Sequence, residues 1–320
     1  MEVWRRGIVG NSPGILAVHS MIDKVAPTDA PVLILGETGT GKELVAKAIH
    51  AESPRANGPF LSVSCAALPR DLLESTMFGH KHGAFTGAVS DHQGMLAACK
   101  GGTFFLDEIG DMEPCTQMKV LRALQEYEVT PVGSNRSLAI DVRILAATNR
   151  NLATSMRGGS FREDLYYRLS VIEITMPPLR DRSEDIGLLI AYFAHGSTVT
   201  DEAMRPLLRY DWPGNVRQLQ NVIERALILC GGGPIEKQHL HPAVLSGPQI
   251  IHDIDFGRAR MKLEEVEKAY IREALEKCDW HPIQAAKILG IHPSTLYRKR
   301  LEYGMAGPRN RKNTKLEAMR

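Results

Sequence analysis

The apolar positions of this chain follow two rhythms. Short runs of apolar residues bounded by glycine or polar residues read as strands: Val32-Leu33-Ile34-Leu35, Phe60-Leu61-Ser62-Val63-Ser64, Thr103-Phe104-Phe105-Leu106, and the run from 140 to 149. Between them, apolar residues recur every three or four positions. Residues 15–25, 68–78, and the set Leu44, Val45, Ala46, Ala48 and Ile49 read as helices. Strands alternating with helices predict an α/β body built on a parallel sheet. Pro177-Pro178-Leu179 breaks this pattern, and only helical periodicity follows to about residue 245. Its strongest segment starts at Trp212-Pro213-Gly214-Asn215, puts Val216, Leu219, Val222, Ile223, Ala226 and Leu227 on one face, and stops at Gly231-Gly232-Gly233-Pro234. A last unit shows a helix over 261–275, a short one over 283–289, a turn at Gly290-Ile291-His292, and a third helix that opens on Pro293. The expected organisation is an α/β unit over 1–176, a helical lid over 177–245, a linker over 246–257, a three-helix unit over 258–305 and a disordered basic tail over 306–320. Residues 1–30 read as a short lead-in with no separate sensor domain ahead of the first strand.

The turn after the first strand carries the clearest chemistry. Gly36-Glu37-Thr38-Gly39-Thr40-Gly41-Lys42-Glu43 fits G-x-x-x-x-G-K, the loop that cradles nucleotide phosphates. Glycines let backbone N–H groups converge on phosphate oxygens, the helix that follows presents its positive end, and Lys42 reaches the outer phosphates. Glu43 stands where Ser or Thr normally offers a hydroxyl to magnesium, so another carboxylate must hold Mg²⁺. Asp107 and Glu108, at the carboxyl end of an apolar strand, supply it: Asp107 for the metal, Glu108 to polarise an attacking water. Asn149, ending the next long strand, can orient that water or sense the γ-phosphate. In Phe161-Arg162-Glu163-Asp164-Leu165-Tyr166-Tyr167-Arg168-Leu169, Arg162 and Arg168 are candidate arginine fingers, though two arginines in a charged helix are more often surface residues. Gly83-Ala84-Phe85-Thr86-Gly87-Ala88 sits in a stretch too glycine-rich for a core, yet it carries a phenylalanine. It is either an exposed loop built to touch something or a plain surface turn with Phe85 folded back.

Composition narrows the classes. With 320 residues the chain has room for two or three domains, and no apolar run approaches the roughly 20 residues needed to span a bilayer. Five scattered cysteines, without a Cys-x-x-Cys pair, read as reduced thiols of a cytoplasmic protein. The net charge of +2 hides a polarity: from Arg258 onward 15 Lys and Arg face 8 Asp and Glu, leaving the rest of the chain negative. A basic end on an acidic body suits a polyanion. The last two helices read as a helix-turn-helix, in which Ser294, Thr295, Tyr297 and Arg298 lie where DNA would be contacted and Lys299 and Arg300 suit phosphates. The alternative is a solvated three-helix appendage.

Placed together, these pieces resemble the bacterial enhancer-binding activators of sigma-54 RNA polymerase, a branch of the AAA+ ATPases, over nearly the whole chain. The most specific marker is Gly83–Ala88, the loop by which such activators grip the sigma factor. Gly36 to Glu43 matches the family's phosphate loop, Glu43 included, and Gly101 to Gly110 its second nucleotide motif. Thr148-Asn149 looks like sensor I, Phe161 to Leu169 matches the finger segment, and Trp212 to Arg217 looks like sensor II, with Arg217 on the nucleotide. The last unit is similar to the Fis-type DNA-binding domain. The resemblance implies a homo-oligomeric ring, a hexamer, that hydrolyses ATP with Mg²⁺, binds double-stranded enhancer DNA, remodels the closed promoter complex, and takes Arg162 and Arg168 from the neighbouring subunit. Four places depart from the family: Ser64 where Asn is usual, Thr130-Pro131 where the second position is typically Arg, a shortened 193–200, and Trp280-His281-Pro282 in place of Gly-Asn. Ser64 leaves open a rival reading, a DNA-binding regulator whose AAA+ body has lost activation. A metabolic P-loop kinase would not explain the helix-turn-helix.

Overall fold

The computed structural model describes residues 4–5, 7–85, 87–245, 263–278, 280–289 and 291–305. The chain divides into two compact units, Met1–Gln249 and Ile250–Arg320. The sequence-based linker over 246–257 and tail over 306–320 lie outside the described residues, as does Thr86.

The first unit is organised on five parallel strands: β1 (Val32–Leu35), β2 (Phe60–Ser64), β3 (Gly102–Asp107), β4 (Val142–Thr148) and β5 (Ile172–Thr175), in the spatial order β2-β3-β4-β1-β5. Alternate side chains of each strand point to opposite faces, so the sheet feeds two cores. Phe105, Leu145 and Ala147 pack with helices α1 (Pro13–Val25) and α2 (Lys42–Ala51) on one face. Phe104, Leu106, Ile144 and Ala146 pack on the other, against α3 (Arg70–Phe78), α4 (Pro114–Glu126) and α5 (Glu163–Leu169). Every residue of β4 is buried, which fits a strand at the centre of a doubly covered parallel sheet. It begins at Val142, two residues later than the apolar run suggested. The backbone N–H of Ile140 instead donates to Tyr127 O at 2.8 Å, closing a small antiparallel hairpin of Glu128–Val129 with Leu138–Ala139. Two-residue strands carry no detectable period, and the hairpin was not expected.

Arg143 in β4 is almost fully buried. Its guanidinium donates to Val25 O at 2.9 Å, Ala26 O at 3.0 Å and Ala30 O at 3.3 Å, capping the negative end of α1. Burial pushes its pKa down from the ordinary arginine value.

The lid follows the break at Pro177-Pro178. Helices α6 (Ile186–Phe193), α7 (Asp201–Arg209) and α8 (Asn215–Cys230) close over Trp212, which is fully buried and donates its indole N–H to Leu207 O at 3.0 Å. The shortened stretch after Phe193 turns through His195 and Gly196, both at positive φ, so α6 ends early. Residues Ile8 and Val9 join the two lobes: Ile8 lies in the core of the sheet lobe and Val9 in the core of the lid.

The second unit, taken by itself, holds α9 (Leu263–Lys277), α10 (Pro282–Ile288) and α11 (Pro293–Glu302) around Ile271, Leu275, Ala285, Ala286, Leu296 and Met305. These are a sheet-based α/β domain, a helical lid and a helix-turn-helix, the fold class read from the sequence.

Candidate nucleotide site

The carboxyl ends of β1, β3 and β4 meet at the phosphate loop. Gly36, Gly39 and Gly41 all have positive φ, the backbone region that bulky residues resist. At Gly39 the demand is also steric, since a Cβ would lie 2.4 Å from Gly214 O of the lid. Lys42 is buried at the head of α2. Its Nζ donates to Gly36 O at 3.0 Å, Glu37 O at 3.4 Å and Glu108 Oε1 at 3.2 Å. The other Glu108 oxygen accepts the Asn149 backbone N–H at 2.9 Å, and the Asn149 side-chain amide donates to Thr38 Oγ1 at 2.8 Å. Three residues singled out from sequence, Lys42, Glu108 and Asn149, are thus bonded to one another across 41 to 66 residues of chain. Glu108 occupies the left-handed region at φ 53, an uncommon conformation for a glutamate, and its N–H donates to Asp107 Oδ1 at 3.1 Å.

Asp107 lies on the same sheet face as α2. Burial, and then the adjacent Glu108 charge, push its carboxyl above the ordinary carboxylate range, with Lys42 opposing. An acid in that position regains its charge most readily beside a cation. Glu43 points elsewhere, pairing with Lys47 at 2.8 Å along the exposed side of α2. Ser64 is the register partner of Asp107 in β2 and shares its face, yet the groups bonded to the Glu108 carboxylate are Lys42 and Asn149. The neighbouring Cys65 thiol is pushed up to about 12 by burial and then by the nearby acids, so it stays protonated and inert.

The lid closes on the loop through Arg217, which the sequence marked, and through Arg180, Arg182 and Asn215, which it did not single out. Arg180 makes a two-pronged pair with Glu37, at 2.6 and 2.9 Å, and first this pair, then Asn215, holds the Glu37 carboxyl below its usual range. Asn215, fully buried at φ 52, donates to Glu37 Oε2 and to Thr38 O, both at 3.1 Å, and accepts Leu179 N–H at 2.7 Å. The Arg217 backbone N–H donates to Gly39 O at 3.2 Å, which places the start of α8 against the loop, with the Arg217 side chain exposed. Arg182 donates to Thr40 O at 3.1 Å. Beside these contacts the lead-in, the loop and the lid enclose a cavity of about 300 Å³, walled by Ile8, Val9, Thr40, Gly41, Phe193 and Val216 among others. Its wall is mostly apolar and it adjoins the phosphate loop, so the residues present fit a nucleotide with its base in the cavity.

Arg162 and Arg168 lie on a different side. Arg162, exposed, pairs with Asp164, and Arg168 donates twice to Leu124 O, at 3.0 and 3.3 Å. Among the described residues neither guanidinium bonds to the phosphate loop.

The loop around Gly83–Ala88 rises from a base pinned at His80, which exchanges backbone bonds with His92 at 2.8 and 2.9 Å, while Lys81 N–H donates to Val132 O at 3.0 Å. Gly83 N–H donates to Ala88 O at 2.9 Å and closes the loop neck. Phe85 is half-buried, its ring edge-on to the His80 imidazole with centroids 5.0 Å apart, so here the ring is folded back. Among the described residues, the large apolar side chain left most open is Val89, 83% exposed.

In the second unit Ser294, Tyr297 and Arg298 are exposed and Thr295 half-exposed along α11. Lys299 and Arg300 turn toward their own unit. Lys299 Nζ pairs with Glu267 at 2.6 Å and lies over the Tyr303 ring, and the Arg300 guanidinium lies over the Trp280 ring at 5.6 Å. A DNA phosphate would have to compete with Glu267 for Lys299. Trp280 itself sits at φ 65, where the family's usual Gly-Asn would rest without strain.

Residues 8–175 match the Sigma-54 interaction domain, 180–253 the AAA+ ATPase lid domain, and 262–303 the Fis family of bacterial regulatory proteins. The chain belongs to the sigma-54-dependent transcriptional regulators. Similar members include the transcriptional regulatory protein ZraR of Klebsiella oxytoca, 48% identical over 92% of this chain and 68% of that one. The response regulator protein PilR of Pseudomonas aeruginosa is 45% identical over 89% and 66%. Among solved structures, NtrX from Brucella abortus in complex with ATP superposes with a TM-score of 0.71 at 33% identity, covering 95% of this chain and 71% of that one. As a sigma-54-dependent regulator the chain pairs an NTPase-type body with a DNA-binding helix-turn-helix. No helix among the described residues is long and apolar enough to cross a membrane.

Proposed function

We propose that the chain is an ATP-hydrolysing activator that binds enhancer DNA through its last unit and remodels the sigma-54 RNA polymerase closed complex. The observation that carries this reading is the Glu108 carboxylate held between Lys42 Nζ and the Asn149 N–H, at the strand ends beside the phosphate loop. A β,γ-phosphate entering the loop would draw Lys42 to itself, freeing Glu108 to take a proton from water while Asn149 orients it. The glycine amides and Lys42 would hold the phosphates, Arg217 would approach them from the lid, and the base would occupy the cavity behind Thr40. Asp107 would hold Mg²⁺, which supplies charge neutralisation on the phosphate oxygens.

Arg162 and Arg168, both exposed and neither bonded to its own phosphate loop among the described residues, suit a ring in which each subunit completes its neighbour's site; a hexamer is the family's usual form. Gly83–Ala88, with Thr86, is the proposed contact with the sigma factor, and Ser294, Thr295, Tyr297 and Arg298 the proposed DNA-reading positions, with Lys299 and Arg300 beside them. Such partners place the protein in the cytoplasm.

The test is ATP-dependent open-complex formation with sigma-54 polymerase on a promoter carrying the cognate enhancer. Activity is expected for the full chain and lost in Glu108→Gln. Thr86→Ala should keep ATP hydrolysis and lose activation. ATP turnover and DNA binding without open complexes would favour the second reading, a regulator whose motor is uncoupled, for which Ser64 is the motivating residue.

A further inference from the structure

The second unit sets one acid against its own helix-turn-helix. Glu267, on α9, engages the end of α11 through both carboxylate oxygens. Oε1 pairs with Lys299 Nζ at 2.6 Å, and Oε2 accepts the Tyr303 O–H at 2.6 Å. Lys299 and Tyr303 stand one helical turn apart, with the Tyr303 N–H donating to Lys299 O at 2.9 Å, so one carboxylate bridges two successive turns. The Lys299 ammonium also lies over the Tyr303 ring, 5.7 Å from its centroid. First the Lys299 bond and then the Tyr303 bond hold the Glu267 carboxyl below its usual range, so it stays charged.

A lone surface ion pair contributes little, because salt screens it and two long side chains must be ordered to make it. Here a second, uncharged donor fixes the carboxylate and a ring supports the ammonium, which lowers the freedom each still has to lose. The consequence concerns DNA. A lysine or arginine that neutralises a phosphate releases a counter-ion, which adds sequence-independent affinity and steepens its salt dependence. A lysine already neutralised by its own fold has none to release. In the run Arg298-Lys299-Arg300 only Arg298 is exposed, since Lys299 is held on Glu267 and the Arg300 guanidinium lies over the Trp280 ring.

We infer that Glu267 is a positioning residue for DNA binding: it holds Lys299 in an internal pair and withholds one phosphate contact from α11, which limits the sequence-independent part of the affinity. This rests on the reading that the exposed side of α11 faces DNA. Lys299 thereby leaves the set of phosphate contacts that its sequence suggested. Its four-carbon stem, next along the helix from Arg298, is long enough to turn outward once the carboxylate no longer holds it. Ser294, Tyr297 and Arg298, which are exposed, then carry a larger share of recognition than a count of basic residues implies.

The experiment reads salt dependence. The full chain is titrated with a mixed-sequence DNA duplex over a series of salt concentrations, and the slope of log affinity against log salt is compared among variants. Glu267→Gln keeps the size of the side chain and an acceptor for Tyr303 but removes the charge that holds Lys299. It should bind more tightly at low salt, with a slope steeper by about 0.9 for each chain bound, the value for one added phosphate contact. Adding Lys299→Gln should return the slope to that of the unaltered chain. An unchanged slope in Glu267→Gln overturns the inference, and so does a double variant that stays steep, because the lost negative charge then acts without Lys299. Lys299→Gln alone should leave the slope as it was. A slope flatter by about 0.9 there would place Lys299 on a phosphate already, and overturns the inference without needing Glu267→Gln to fold. Arg298→Gln tests the reading beneath and should weaken binding. Full affinity in that variant, or no DNA binding by the unaltered chain, would remove the DNA face assigned to α11, and this inference with it.

Discussion

Asn215 offers the sharpest test of how the lid and phosphate loop are joined. Its side chain bridges three partners: Leu179 N–H, Glu37 Oε2 and Thr38 O. In Asn215→Ala the Leu179 N–H is left buried without an acceptor, costing about 1–3 kcal/mol. Alanine at φ 52 costs about 1 kcal/mol more, because asparagine tolerates the left-handed region and alanine does not. The sum, about 2–4 kcal/mol, opens the lid junction roughly 30- to 1,000-fold more often. Amide hydrogen exchange reads this directly: Leu179 should lose protection by that factor in the variant, while β4 amides exchange as before. Asn215→Gly separates the two contributions. It loses the same side chain but not the backbone comfort, so it should recover about fivefold of the protection, the equivalent of about 1 kcal/mol. Both variants should bind nucleotide more weakly, since Glu37 and Thr38 lose their brace. Leu179 protection unchanged in Asn215→Ala would show that the side chain is not what holds the junction.

Other outcomes follow from the same geometry. Specific ATPase activity should rise with protein concentration, and Arg168→Ala should abolish hydrolysis but not nucleotide binding; a dilute monomer with full activity would refute completion of the site by a neighbour. Ser64→Asn, on the Asp107 face of the sheet, should add an amide that restrains Glu108 and raise the open complexes formed per ATP consumed; identical ratios would make the substitution silent. His50, packed beside Thr103 Oγ1 at 2.9 Å, has its pKa lowered by burial. The unfolded chain therefore binds the proton first, and the stability from neutral His50 is present above the ordinary histidine value and lost as pH falls below it. Urea midpoints should fall between about pH 7 and 5, less steeply in His50→Gln; parallel slopes would count against this.

Much of the architecture was legible because local rules and tertiary demands agree. The apolar run before Gly36 could only be a buried strand, and the acids after Phe104-Phe105-Leu106 had to emerge at its carboxyl end, beside whatever the glycine loop holds. The bonds among Lys42, Glu108 and Asn149 follow from strand order, which the alternation of elements nearly dictates. Asn215, Arg180 and Arg182 were not legible as site residues. Each acts across more than 140 residues of chain, and an asparagine before a helix reads locally as a cap. Ile8 and Val9 gave no signal, being two apolar residues in a lead-in. The basic run Arg298-Lys299-Arg300 shows the opposite failure: charge counts treat its members alike, yet the helix turns Lys299 onto Glu267 and Arg300 onto Trp280 and leaves Arg298 outward.

Ile8 and Val9 bear on tempo. Adjacent in the chain, they are anchored in different lobes, and both wall the cavity behind the phosphate loop. If the proposed nucleotide base lodges there, its release would be coupled to parting of the lobes, and its residence time would follow how firmly the lid core around Trp212 keeps its grip on Val9. Spent nucleotide would then depart on the schedule of a packing fluctuation and not on that of the groups proposed to cleave the phosphate. A softened lid core would quicken turnover to the point where bond cleavage becomes the slow step, and a stiffened one would leave each subunit waiting on release.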